Sequence, residues 1–288
     1  MSPRTLAILG TIGLVLASCA SAGPAAPTRS PGIEQVGHVI VVYLENRSFD
    51  GLYGSFHGAS GIPQSGIAPQ VDKAGNAYAA LPRAMDNSKP PAVADARFPA
   101  DLPNRPFDLA TYAPPEQPIG NPVHRFYQEQ LQIDGGKMDR FVAWTDVGGL
   151  VMGTYDAREL PLGRLAAQYA LSDNFFHAAF GGSFLNHMWL ACACTPAWPD
   201  APKAHVAQLE PDGRLIKDGD VTPDGFVVNT AYTVNAPHPK TAVPADLLPS
   251  LTNATIGDRL TAKGIDWAWY SGGWDDAIAG RPDPFPGM

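Results

Sequence analysis

The chain has 288 residues, 45% of them apolar and 17% charged, with 29 glycines and 29 prolines. That balance excludes a disordered chain and describes a loop-rich globular protein, long enough for one large core or two modest ones. A net charge of -8 without any Lys/Arg run excludes a general nucleic-acid binder, while a small anionic substrate stays possible wherever local charge opposes the global sign.

Arg4 precedes an apolar stretch from Leu6 to Ala17 that is too short to span a bilayer, so residues 1–19 read as an export signal. Leu16-Ala17-Ser18-Cys19 resembles a bacterial lipobox, which makes Cys19 the lipid-modified first residue and the membrane a partner through that anchor. Ordinary cleavage near Ala20 or Ala22 is the alternative. Either way the protein is expected to be exported, as an envelope lipoprotein or a secreted protein. Residues 20–35, rich in Ala, Pro and Ser, read as a flexible tether before a domain over 36–288.

The run His38-Val39-Ile40-Val41-Val42-Tyr43-Leu44 is short, β-branched and without polar alternation, which predicts a strand buried on both faces. Open α/β sheets present their chemistry at the carboxyl ends of such strands. Glu45 and Asn46 follow at once, a carboxylate and an amide suited as hard oxygen ligands to a metal. They could equally start a turn. Residues 55–120 are dominated by Gly, Pro, Ala and Asp without sustained periodicity and read as a long, loop-rich insertion.

Residues 122–132 predict a helix with Phe126, Gln130 and Ile133 on one face, continued by a second helix over 138–144. Residues 160–169 predict a clearer helix with Pro161 in its first turn. Residues 171–176 predict a short strand, 255–263 a helix stopped by Gly264, and 265–270 another strand. No internal repeat is present. Helix–loop–strand units of this kind indicate a layered α/β fold. Cys192 and Cys194 are two residues apart, a spacing at which a disulfide would be strained, so both are expected to be buried small apolar residues.

Gly181-Gly182 permits a tight turn and close backbone approach ahead of Ser183, at the expected start of an apolar helix. The free N–H groups there favour an anion, and a serine so placed can be a nucleophile toward phosphorus once activated. It can also be no more than the helix N-cap. Asn186 and His187 lie one turn further on, where one of them could face the same pocket. His124, beside an Asn-Pro turn, suits oxyanion contact or acid catalysis, although a lone histidine is more often a packing residue.

Together these stretches resemble the bacterial phosphoesterase family of acid phosphatases and phosphatidylcholine-type phospholipases C. The resemblance runs from about Val36 to Trp274. It is carried by residues 38–42 with Glu45-Asn46-Arg47-Ser48-Phe49-Asp50, by residues 124–130, and by Asp134-Gly135-Gly136-Lys137-Met138-Asp139. Residues 181–187 and 255–260 complete the set. It implies an alkaline-phosphatase-like α/β sandwich, with a central, mainly parallel sheet flanked by helices. It further implies a phosphoester hydrolase dependent on one divalent metal ion, most akin to an acid phosphatase acting on phosphomonoesters. Carried over, Glu45, Asn46 and Ser183 would be metal ligands, Ser183 the nucleophile, His124 a phosphate contact or proton donor, and Asn186 and His187 substrate contacts. A phospholipase C acting on lipid headgroups is the second reading, and a catalytically defective envelope lipoprotein the third. Family members also carry a later His-His pair and Asp-Asp pair. Asp275-Asp276 follows the preceding strand-like run too closely to match, so the C-terminal part is expected to be missing.

Overall fold

The computed structural model describes residues 35–63, 66–235 and 241–279, together with the single positions 32, 238 and 281. The expected export signal, Cys19 and most of the expected tether lie outside the described residues. The chain divides into a unit ending at Leu44 and a unit beginning at Glu45. In the first, residues 38–44 form no strand ladder, and Val39, Ile40, Val41 and Val42 are exposed. The predicted strand is therefore corrected: β-branched composition favours an extended chain, but a strand persists only where a neighbour satisfies its backbone groups.

The second unit is built of short elements: helices α1 (Phe49–Tyr53), α2 (Phe126–Ile133), α3 (Pro161–Gln168), α4 (Ser183–Cys192), α5 (Ile256–Ala262) and α6 (Trp274–Ala279). Its strands are β1 (Met85–Asp86), β2 (Val93–Ala94), β3 (Phe107–Asp108), β4 (Gly153–Thr154), β5 (Gln208–Leu209) and β6 (Leu215–Lys217). Among the described residues they make three two-stranded sheets. β1–β2 and β5–β6 are antiparallel, and β3–β4 is a parallel pair with Phe107 opposite Gly153. The architecture is thus mixed α/β with one parallel pair, in place of the expected single large sheet.

Helix ends follow local chemistry. α3 begins with Pro161, whose missing N–H costs nothing in a first turn. α5 has a capping box: Thr255 accepts from the Asp258 N–H while the Asp258 carboxylate accepts from the Thr255 N–H at 2.7 Å. The helix predicted over 138–144 does not form. Asp134, Gly135, Gly136 and Met138 all take positive φ, which turns the chain out of the right-handed helix before Arg140. Residues 171–176 and 265–270 form no strands either, and Phe175, Phe176 and Tyr270 stand exposed.

Apolar burial concentrates in three clusters. The largest joins Leu81, Phe98, Leu102 and Leu109 to Val142, Val147, Leu150 and Tyr155. Much of it comes from residues 55–120, the stretch that composition presents as loop, so this segment is a core contributor despite its short strands. A second cluster gathers Trp198, Val221, Val227 and Leu248, and a third Tyr127, Leu185, Ala207 and Val228. Cys192 and Cys194 are half-buried and joined to each other in a disulfide. That corrects their reading as unpaired apolar residues: the left-handed Ala193 between them (φ 49°) folds the chain back so that the two Cα atoms lie 5.2 Å apart.

Candidate active site

The third cluster places the site. Tyr127 in the first turn of α2 and Leu185 in the first turn of α4 are buried in it together, so both helix starts rest on one apolar floor. The entrance to α2 is fastened further. Arg125 ion-pairs with Asp218, and with Asp220 at 3.1 Å. The Phe126 N–H donates to Asn229 Oδ1 at 2.9 Å, and buried Asn229 donates onward to the Gly219 carbonyl at 2.7 Å.

The approach to α4 is a bend at two glycines, each required for a different reason. Gly181 sits at φ +108°, where L side chains are strained. A Cβ on Gly182 would lie 2.8 Å from the His124 carbonyl oxygen, so only glycine allows the two segments to touch. Three bonds hold the bend. The Gly181 N–H donates to Glu129 Oε2 at 2.6 Å, and the Asn186 amide donates to the carbonyls of Gly181 (3.3 Å) and Gly182 (3.2 Å). Burial pushes the Glu129 carboxyl above its ordinary pKa, with the Gly181 N–H and nearby His124 pulling it partly back.

Ser183 is the first residue of α4, and Gly182 takes the capping position. Its hydroxyl is therefore not spent on its own helix. Instead Oγ donates to Glu45 Oε1 at 2.7 Å, across a sequence separation of 138 residues. Asn46 donates from its amide nitrogen to Asn121 Oδ1 at 3.4 Å. His124 Nδ1 lies 2.7 Å from the Pro122 carbonyl oxygen, which can only accept. The proton of the neutral ring is thus on Nδ1, and Nε2 is the nitrogen available to a ligand.

A cleft of about 800 Å³ is lined by Gly182, Ser183, His124 and Arg125 together with Asn87, Ser88 and Lys89. The 87–89 segment is pinned in place. Asn87 donates to the Asn121 carbonyl (2.8 Å) and to Asp146 (2.7 Å), and accepts from the Asn121 N–H (2.9 Å). Asp146 also accepts from the Val123 N–H at 2.8 Å.

The structure thus brings Glu45 and Ser183 into contact, ties Asn46 to the cleft-lining Asn121, and puts His124 in the cleft. Asn186 and His187 do not line it, and buried Asn186 is turned to the glycine bend. Asp275 and Asp276 line a separate hollow with Trp269 and Tyr270, and Asp276 pairs with Arg281 at 2.6 Å. Sequence reasoning missed Glu129, although its place one turn after Arg125 on a predicted helix was a usable signal. It also missed Asn229 and the 87–89 wall, for which local sequence holds none.

Among the described residues, no three His, Cys, Asp or Glu side chains converge as a metal cluster. Glu45, Asn46 and Ser183 fit a hard divalent cation in kind, since all offer oxygen. They supply one carboxylate, so water or substrate oxygens would have to complete the shell.

The model of the phosphoesterase family matches residues 36–286. The chain belongs to the phosphoesterase family. Among curated relatives, phospholipase C B of Mycobacterium tuberculosis is 24% identical over 227 residues, covering 72% of this chain and 38% of that protein. Phospholipase C A of the same organism is 25% identical over 179 residues, covering 59% of this chain and 32% of that protein. This phosphoesterase chain therefore spans less than half the length of these relatives. No solved structure matches it. Among the described residues, no helix is long and apolar enough to cross a membrane.

Proposed function

We propose that this phosphoesterase chain carries the site of a phosphoester hydrolase, acting on phosphomonoesters through Ser183. The observation that carries the reading is the 2.7 Å bond from Ser183 Oγ to the Glu45 carboxylate, at the open end of a ten-residue helix that borders the cleft. A serine hydroxyl beside a carboxylate is a nucleophile with a base to take its proton. The first N–H groups of α4 have no partner within the helix and favour the developing charge on phosphate oxygens.

On this reading the Ser183 oxygen bonds to phosphorus as its proton passes to Glu45, and the phosphorus–oxygen bond to the alcohol breaks. The departing alcohol oxygen takes a proton from His124 Nε2 in its protonated form. Water then cleaves the phosphoserine, releasing phosphate and restoring the hydroxyl. Glu45, Asn46 and Ser183 would hold one divalent cation, which when bound lowers the hydroxyl pKa and neutralises phosphate oxygens. Asn186 and Glu129 act indirectly, by fixing the bend that presents Ser183. An alkaline-phosphatase-like fold for the whole protein belongs to this reading through the family membership and the mixed α/β elements, not through the small sheets themselves. Export to the cell envelope through a lipid on Cys19 belongs to the same proposal.

Ser183→Ala should lower turnover of an aryl phosphate by at least about 10³-fold without shifting the thermal midpoint. Unchanged turnover removes Ser183 from the mechanism. Glu45→Gln should slow the same step, and activity indifferent both to that change and to a chelator would end the role of Glu45. The relatives' names favour a second reading as a phospholipase C. Faster headgroup release from phosphatidylcholine vesicles than from soluble monoesters would establish it, and failure of both substrates would leave a non-catalytic envelope protein.

A further inference from the structure

The cleft that Ser183 lines is also lined by two cations, Lys89 and Arg125. No Phe, Tyr or Trp lines the cleft among the described residues, so no aromatic cage is present for a quaternary ammonium group. The two cations lining it have different partners. Arg125 is committed to Asp218 and Asp220. Lys89 has no ion pair or hydrogen bond among the described residues. Asp146, the acidic residue of the same lining, turns one oxygen to Asn87 and the other to the Val123 N–H.

The base from which Lys89 projects is firm. Asn87 is held by three hydrogen bonds, and the Ser88 N–H donates to Asp86 Oδ1 at 2.9 Å in a local turn. Hydrogen bonds from the Ser88 side chain and N–H keep the Asp86 carboxyl below its ordinary pKa, so the turn is anchored by a charged acceptor. The result is an unneutralised ammonium on a fixed loop, lining the same cleft as the nucleophilic hydroxyl.

Taking the cleft as a phosphoester site, as proposed above, we propose that Lys89 is a specificity residue. It selects phosphate esters whose alcohol portion carries a second negative charge, a carboxylate or another phosphate. Esters of cationic alcohols such as choline are disfavoured by the same charge. Lys89 touches the non-reacting end of the substrate and takes no part in bond breaking. Its side chain is exposed, so the effect is that of a solvated ion pair and no larger.

The test compares the full chain with Lys89→Met and Lys89→Glu on three substrates: phosphoglycolate, p-nitrophenyl phosphate and phosphocholine. Lys89→Met should lower kcat/KM for phosphoglycolate about fivefold while leaving p-nitrophenyl phosphate unchanged. Lys89→Glu should lower phosphoglycolate further and raise phosphocholine. Equal changes on all three substrates, or none, overturn the proposal. A calorimetric arm separates it from the hydrolase reading, using phosphonoacetate and ethylphosphonate, neither of which contains an ester. Lys89→Met should weaken phosphonoacetate about fivefold and spare ethylphosphonate. If that pattern appears while no ester is turned over, the hydrolase reading fails and Lys89 stands. If the unmodified chain binds the two phosphonates equally, or binds neither, Lys89 has no selective role.

Discussion

Two regions of the second unit contain the same kinds of side chain and treat them oppositely. Around β1, β3 and β4, Leu81, Leu109 and Val147 are 0–2% exposed. In the segments 171–176 and 265–270, Phe175 is 82%, Phe176 78% and Tyr270 92% exposed. In sequence the expectation runs the other way, with residues 55–120 reading as loop and the two exposed runs as strands. The difference teaches that burial follows from converging surfaces rather than from hydrophobic content. Leu81, Leu109 and Val147 come from chain segments that fold back on one another, whereas the two exposed runs have no partner strand among the described residues. Large exposed apolar patches are surfaces waiting for a contact.

The sharpest way to break that comparison is a cavity in the packed region. Leu109→Ala should destabilise the second unit by about 2–5 kcal/mol, measured by denaturant unfolding, since the side chain is fully enclosed and its truncation leaves a void. A cost below about 1 kcal/mol would mean that this cluster is no better packed than the exposed runs.

Next in size is the polar support of the same region. Arg97 reaches buried Asp95 through two nitrogens, at 2.9 and 2.6 Å, and holds its carboxyl below the ordinary carboxylate range. A carboxyl lowered in the folded state contributes stability that is fully present above its unfolded pKa. That stability is lost as pH falls through the carboxylate range toward the folded value. Asp95→Asn should therefore cost about 1–3 kcal/mol at neutral pH and progressively less in acid. A cost independent of pH would remove the ion pair from the account.

A smaller effect is expected at the glycine bend. Glu129→Ala should speed amide exchange at Gly181 by about tenfold, the loss of roughly one net hydrogen bond, while Glu129→Gln keeps an acceptor and most of the protection. The readout is hydrogen–deuterium exchange of the peptide spanning 181–184, and equal exchange in all three proteins would release Glu129 from its positioning role. Smallest of all, Phe176→Ser should change stability by no more than about 0.5 kcal/mol, because little contact is lost. It should instead reduce self-association, which light scattering would show.

How much could be read from the chain depended on the range of the interaction. The starts of α3 and α5 were readable because a proline and a Thr/Asp capping box act within a few residues. The stop of α2 at Ile133 was readable to within one residue, but the second helix expected over 138–144 was not to be had, since four positive-φ residues in and around an Asp-Gly-Gly turn lead the chain out of helical geometry. Residues 38–44, 171–176 and 265–270 were misread as strands for a common reason: composition reports extended preference, while pairing is a property of two segments at once. Residues 55–120 erred in the other direction, because scattered Leu and Phe between prolines show no period yet meet in one cluster.

By itself the sequence determined the chemistry on offer: a carboxylate and an amide at 45–46, a hydroxyl behind two glycines, an imidazole at 124, and an acidic chain without a basic face. Those are matters of residue type and short spacing. Only the tertiary structure decided that Ser183 donates to Glu45 instead of capping its own helix, that Asn186 serves the bend, and that Lys89 lines the same cleft as Ser183. Each depends on side chains brought together from distant segments, by apolar contacts and hydrogen bonds that no local pattern encodes.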